Sequence, residues 1–445
     1  MWSTLPLVCA MFIGVSAATP NEDVPDDIPD DIPDDDIPNP HVEDAGAAAL
    51  AAANAVAIRR MPRATSLELL ALRMKAPSSQ KAEIDYYIGR CLERIGLLHA
   101  AHRLYLVAAR RDSPWRPDVL DALVRSAVLV GDDEPLIALA VELPVRDFPD
   151  VTRGDWLFLR AQGMRRQGDL DAARDLLEQV DTASVRHPAA QLQRAILEER
   201  PEAARDRILR LLSLKVRGSR LARVDLRLVQ DLARLNLGRL YYAAHQYEAA
   251  AAIYDSVPDG ARTDRARLEA AWALAVAGKT DAALERLVRN PLPEAALLQA
   301  VLQKDDDRSD AIAQQWRQQL DAMQDLVDRY TVFPAGLWTL WFEGADASEE
   351  TPMPPSFFIE ALRDVRLSGA IYRMDQINRE RALLARQPDE WAEWFRPGLE
   401  KALEDDFQAL RVRAGAVLLE KIADQQRRMI QLRSELAHPP EAQAP

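Results

Sequence analysis

Residues 237–242 read Leu237-Gly238-Arg239-Leu240-Tyr241-Tyr242 and carry the clearest structural pattern in the chain. A small residue stands beside a leucine, an aromatic residue follows three positions later, and Ala250 comes twelve positions after Gly238. Small side chains let two helices approach closely, and aromatic side chains fill the space that remains. The stretch therefore predicts two helices joined by a turn, with Gly238 and Ala250 at the contact between them.

This pattern recurs along the chain. Ala250 and Ala283 lie 33 residues apart, and Ala101 and Ala173 are separated by 72, close to two such intervals. A period near 34 residues is that of the tetratricopeptide repeat (TPR), a helix-turn-helix unit that buries its apolar face only by stacking on its neighbours. We therefore predict an all-α fold, a TPR-like right-handed helical solenoid with a C-terminal long-helix hairpin.

The chain divides into six predicted segments. They are a signal peptide (1–18), an acidic proline-rich linker expected to be disordered (19–44), the repeat array (45–330), a connection that contains Trp338 and Trp341 (331–355), two long helices (356–437) and a disordered tail (438–445). The last helix carries an apolar stripe through Leu403, Leu410 and Val417, and a second, shifted stripe begins at Leu418. This stripe predicts either packing within an intramolecular hairpin or a coiled coil that joins two chains.

The N-terminus resembles a secretory signal. The apolar run from Leu5 to Val15 is too short to cross a bilayer, and Val15-Ser16-Ala17 fits a cleavage site with small residues. We expect export to the periplasm or the outer membrane; a cytosolic adaptor is the alternative if the N-terminus is not processed. Cleavage would leave Cys91 as the one thiol, and its apolar helical neighbours predict that it is buried.

The charge distribution argues against nucleic-acid binding. The net charge is −14, but eleven of the 70 acidic residues lie between Asn21 and Asp44, which leaves 59 against 56 Lys and Arg in the rest of the chain. A nearly neutral body lacks the basic field that nucleic acid requires. One basic segment, containing Arg217, Arg220 and Arg223, is either a solvated edge or a site for an anionic partner.

We find no motif for chemistry. The chain lacks HExxH, GxSxG, CxxC and phosphate-binding glycine loops, so we expect no catalytic residues, no metal site and no cofactor. His99 and His102 lie three positions apart on a predicted helix, where such residues usually serve packing or lie at the surface.

Residues 81–330 resemble bacterial TPR proteins. The segments Ser256-Val257-Pro258, Ala271-Trp272-Ala273-Leu274 and Pro293-Glu294-Ala295 are similar to repeats of exported envelope TPR proteins of myxobacteria and their relatives. The resemblance implies a non-catalytic scaffold that binds a protein partner on the concave face of the solenoid, with peripheral attachment to the envelope. Candidate contact residues are Tyr241, Tyr242 and Trp272. The alternative is an assembly protein whose C-terminal helices form oligomers.

Overall fold

Alanine, leucine and arginine are the commonest residues of this chain, and all three favour helix. A computed structural model describes residues 55–78, 80–130, 133–215, 220–260, 262–329, 361 and 364–437. Within these ranges every regular element is a helix and no strand occurs, so the predicted all-α class is confirmed for the described residues. None of their helices is both long enough and apolar enough to cross a membrane.

The helices follow one another with short connections. Their bounds are α1 Pro62–Lys75, α2 Lys81–Ile95, α3 Leu98–Ala109, α4 Arg116–Val130, α5 Glu134–Glu142, a 3₁₀ turn Val145–Asp147, α6 Arg153–Arg166, α7 Leu170–Glu178, α8 His187–Ile196, α9 Pro201–Leu212, α10 Arg220–Ala243, α11 Tyr247–Asp255, α12 Thr263–Val276, α13 Thr280–Leu287, α14 Pro293–Leu302, α15 Asp306–Arg329, α16 Val365–Ala385 and α17 Asp389–Ala437.

Recurring turn chemistry separates the helices. The residues after α2, α10 and α12 include one in the left-handed region: Gly96 at φ 92°, His245 at φ 60° and Gly278 at φ 76°. In each turn, the residue that follows the left-handed one donates its N–H to the carbonyl five positions before it. Lys279, for example, donates to Leu274 at 2.9 Å. This arrangement satisfies the last carbonyls of the helix and reverses the chain.

The described residues form two compact units. The first unit contains 55–167 and 372–407, and the second contains 168–329, 361, 364–371 and 408–437. Residues of α16 and α17 therefore belong to both units. Each unit is described by itself below.

In the first unit, α2 packs against α1 and α3, and α3 packs against α4. A Cβ atom at Gly89 would lie 2.3 Å from the ring of Tyr105, so only glycine lets α2 and α3 approach this closely. Helix α17 enters the same core through Trp391, which is 2% exposed and donates from Nε1 to Ser66 Oγ at 2.8 Å. C-terminal residues thus complete a core that N-terminal helices begin.

In the second unit, a helix can contact both the next helix in the chain and the one after that. Helix α8 packs against both α9 and α10, and α12 packs against both α13 and α14. The core cluster at α10–α14 is rich in alanine and leucine, and its members include Leu235, Ala250, Tyr254, Leu268, Ala271, Ala283 and Leu298. Small residues at these positions bring the helix axes close together.

Helices α16 and α17 contact each other within each unit. In the first unit Arg381 pairs with Glu404 and lies over the Phe407 ring at 5.0 Å. In the second unit Arg366 Nη1 pairs with Glu420 at 2.7 Å, and Lys421 Nζ pairs with Asp364 at 2.8 Å. Within the second unit, position 364 pairs with 421 and position 366 with 420, so the two segments point in opposite directions there.

Candidate functional site

The candidate site is a row of ion pairs on α10, α12 and α14 of the second unit, which we call the polar ladder. Arg239 Nη2 and Nε donate to the two oxygens of Glu269 at 2.6 and 3.0 Å. Arg265 then bonds to both Glu269 and Glu294, each at 3.2 Å. Arg428 of α17 completes the row with an ion pair to Glu294 at 3.6 Å. The ladder therefore links α10, α12 and α14 with α17.

Helical spacing explains why these side chains share a face. Arg239 and Tyr242 are three positions apart on α10, while Arg265, Glu269 and Trp272 are four and three apart on α12. Such residues lie above one another on a helix. Their apolar neighbours turn inward to the core, which leaves the polar and aromatic side chains together along its border.

The charges on the ladder hold Glu269 ionised. Burial alone would raise the pKa of this carboxyl, but the charges and hydrogen bonds of Arg239 and Arg265 outweigh that effect and lower the pKa to about 2. The bidentate pair with Arg239 is the geometry in which guanidinium and carboxylate bind most strongly. Glu269 is therefore ionised throughout the physiological pH range.

Two of the predicted contact residues meet on this face. Trp272 Nε1 donates to Tyr242 Oη at 3.0 Å, and the Tyr242 ring meets Tyr247 edge to face at 5.2 Å. Tyr241, Tyr242 and Trp272 are all partly buried and pack against the core cluster. They therefore contribute to packing with one part of each side chain and leave the rest accessible.

The predicted basic segment is only partly described. Arg217 lies outside the described residues, and Arg220 and Arg223 are in α10 but their side chains are not described. Just before them, in α9, Arg207 Nε donates to Glu198 at 3.0 Å and Arg205 pairs with Asp206 at 3.6 Å. These acidic partners offset part of the basic charge that the sequence shows there.

A buried polar cluster in the first unit was not anticipated from the sequence. Glu380 Oε1 accepts hydrogen bonds from the backbone N–H of His99 and bonds to its Nδ1, both at 2.8 Å, while His102 Nδ1 bonds to Ser126 Oγ at 2.8 Å. Glu380 thus interacts favourably with the N-terminus of α3. No local pattern could reveal it, because Glu380 is 281 residues away from His99.

Other predicted features divide between described and undescribed residues. Cys91 is fully buried, and burial raises the pKa of its thiol to about 12, which makes the thiol unreactive. Among the described residues no group of three or more His, Cys, Asp or Glu side chains is placed to bind a metal ion. The segments predicted as signal peptide, acidic linker and C-terminal tail lie outside the described residues, as do Trp338 and Trp341.

No protein-family model matches the chain, and no curated protein matches it at a significant level.

Proposed function

We propose that this protein is an exported, TPR-like right-handed solenoid that acts as a non-catalytic scaffold in the bacterial cell envelope. In this proposal it binds a partner protein on the face formed by α10, α12 and α14, the first helices of successive repeats.

The observation that carries the proposal is a recurring separation between bonded residues. Arg239 and Glu269 are 30 residues apart, as are Tyr242 and Trp272, while Arg265 and Glu294 are 29 apart. In the first unit Arg116 bonds to Asp147 across 31 residues and Arg166 to Glu134 across 32. Contacts at one repeat length are what stacked helix pairs produce.

A second observation supports the same architecture. The glycine-to-tyrosine contact found at Gly89 and Tyr105 recurs at Gly238 and Tyr254, and in both cases the two residues are sixteen positions apart. A shared internal geometry in two distant helix pairs favours a common repeat unit.

The side chains on the face formed by α10, α12 and α14 are of types that suit protein recognition. Arg239 and Arg265 are about one-quarter exposed, and they lie beside the partly exposed aromatic rings of Tyr242 and Trp272. Arginine and aromatic side chains are enriched at protein interfaces, and a groove on stacked first helices fits a peptide or a helix. The alternative of oligomers through α17 has less support, because Leu403, Leu410 and Leu418 are already buried within one chain.

Site-specific photo-crosslinking in the living cell would test the binding face. A photoreactive phenylalanine analogue at Trp272 should produce a discrete adduct with a partner protein. The matched control places the same analogue at Leu209, an exposed position on α9 of the same unit. Equal adducts from both positions, or none from position 272, would contradict the proposed face.

The envelope location needs a separate test. Mass spectrometry of the protein purified from its own cells should show a mature chain that begins near residue 18. Recovery of the unprocessed chain in the cytosolic fraction would support the cytosolic adaptor instead.

A further inference from the structure

One side of α2, in the first unit, is the counterpart of the ladder side of α10. The glycine-to-tyrosine contact gives the two helices a common register, in which Arg90 corresponds to Arg239 because each follows the contacting glycine. Tyr87 and Glu83 lie three and seven positions before Arg90, so these side chains share one side of α2. This side carries a carboxylate and a tyrosine in addition to the arginine.

Three aromatic rings support this side of α2. The Tyr87 ring meets Trp115 edge to face at 5.4 Å, and the Tyr86 ring lies 5.3 Å from Tyr87 and 5.8 Å from Trp115. Tyr86 and Tyr87 are buried, whereas Trp115, which directly precedes α4, is partly exposed. The two tyrosines therefore hold the Trp115 ring in place while part of it remains accessible.

The surroundings of Tyr87 are electronegative. Glu83, in the first turn of α2, lies one helical turn before Tyr87, and Asp118 lies in the first turn of α4. Burial and, next, the charge of Glu83 raise the pKa of the Tyr87 hydroxyl. Asp118 adds to this rise, and a smaller effect of Arg90 opposes it. A cation at this place would therefore be attracted by more than one negative group.

Glu83 is partly buried without a neutralising charge. Burial raises the pKa of its carboxyl, and no cationic side chain among the described residues lowers that pKa. In the ladder, by contrast, Arg239 and Arg265 overcome the effect of burial and lower the pKa of Glu269. Because the pKa of Glu83 is higher in the folded chain, its ionised form opposes folding. A charged group that lowers stability is typical of a functional site.

We propose that Glu83, Tyr87 and Trp115 form a second partner-binding surface, which receives a lysine or arginine side chain of a partner protein. The cationic group pairs with Glu83 and packs against the accessible part of the Trp115 ring. A metal ion is a poorer occupant, because no group of three or more His, Cys, Asp or Glu among the described residues is placed to bind one. This surface goes beyond the proposed face at Trp272 and does not depend on it.

The test is a selection of peptides on the full chain. A random peptide library displayed on phage is first depleted on the Glu83→Gln chain, which removes peptides that bind elsewhere, including those attracted by the acidic segment 19–44. The remaining peptides that bind wild type should share a Lys or Arg. One of them, made synthetically, should bind wild type at least tenfold more tightly than Glu83→Gln. Acetyl-lysine or citrulline in place of the cationic residue should abolish this difference.

The matched control is Glu142→Gln. Glu142 also belongs to the first unit, is 57% exposed and pairs with Arg110 at 3.9 Å, so its substitution removes the same charge from another place. The Glu142→Gln chain should bind the peptide as wild type does. Thermal unfolding gives a second measurement: the Glu83→Gln chain should unfold at a temperature no lower than wild type, because the ionised carboxyl opposes folding.

The inference is overturned if no peptide survives the depletion, or if the synthetic peptide binds wild type and Glu83→Gln equally. An equal loss of binding in Glu142→Gln would also overturn it, because the attraction would then be to the overall negative charge. Unfolding of Glu83→Gln well below wild type would assign Glu83 to stability instead. Cross-linking at position 272 judges the scaffold proposal separately, so either proposal can fail without the other.

Discussion

The ring of Tyr254 occupies the space that a side chain at Gly238 would need. A Cβ atom at position 238 would lie 2.4 Å from Cε1 of Tyr254 and 2.7 Å from Cδ1 and Cζ. Tyr254 is itself buried in the core cluster of the second unit, so its ring has little room to retreat. This contact sets how closely α10 and α11 approach.

Gly238→Ala should therefore destabilise the protein by about 1–3 kcal/mol, the usual cost of overpacking a core. Urea unfolding of the full chain, followed by circular dichroism, measures this difference. Gly369→Ala is the matched control, because position 369 is also helical but has no atom within 4 Å of the added Cβ. The Gly369→Ala protein should be as stable as wild type, or more stable by about 0.5–1 kcal/mol. Equal effects of the two substitutions would argue against a packing role for Gly238.

His245 occupies a turn position that glycine occupies elsewhere. Its φ of 60° matches the left-handed conformation of Gly278 in the corresponding turn after α12. For residues other than glycine, this conformation costs about 1–2 kcal/mol of free energy. His245→Gly should thus be more stable than His245→Ala by about 1 kcal/mol in thermal unfolding.

Gly278→Ala provides the reciprocal measurement for the turn and should lower stability by a similar amount. Equal stability of the Ala and Gly proteins at both positions 245 and 278 would contradict a left-handed conformation in these turns.

Glu269 should make the second unit sensitive to acid. Its pKa is about 2 in the folded chain against an ordinary value of 4.5. Because the folded pKa is the lower one, the stabilisation is fully present above pH 4.5 and is lost as the pH falls toward 2. The shift corresponds to about 3 kcal/mol at pH 7. Glu269→Gln should therefore be much less stable than wild type at pH 7, and the difference should narrow between pH 5 and pH 2.

The control for this pH profile is Glu248→Gln, since Glu248 forms an ion pair with Lys279 at 2.7 Å but both side chains are about half exposed or more. Exposed pairs contribute at most about 1 kcal/mol. Unfolding free energies measured from pH 7 to pH 2 should separate the two variants. Parallel profiles for Glu269→Gln and wild type would refute the ladder's electrostatic role.

Ser66→Ala should weaken the first unit. The substitution leaves the buried Nε1–H of Trp391 without its acceptor, which costs about 1–3 kcal/mol. Adding Trp391→Phe removes the unpaired donor, so a double-mutant cycle should show coupling between the two positions. The control is Ser213→Ala: Ser213 is exposed and, like Ser66, donates from Oγ to a carbonyl three residues back. Full additivity in the cycle would mean that the two residues do not interact.

The sequence alone was sufficient for features that depend on neighbours in one helix pair. Residue composition predicted an all-α chain, and the small and aromatic residues around Gly238 predicted a close helix contact, which the ring of Tyr254 makes. The apolar neighbours of Cys91 predicted its burial, and the described chain buries it fully. These inferences succeed because helix propensity depends on local residues, and because the two residues of the contact are only sixteen positions apart in the sequence.

Only the tertiary structure decided which surfaces cover each other. The burial of Trp391 against Ser66 joins residues 325 positions apart, and Glu380 reaches His99 across 281. The apolar stripe of α17 predicted that one side of that helix is buried, but not that Arg428 would meet Glu294. Periodicity identifies the side of a helix that avoids water, while the partner that covers this side depends on how the whole chain packs.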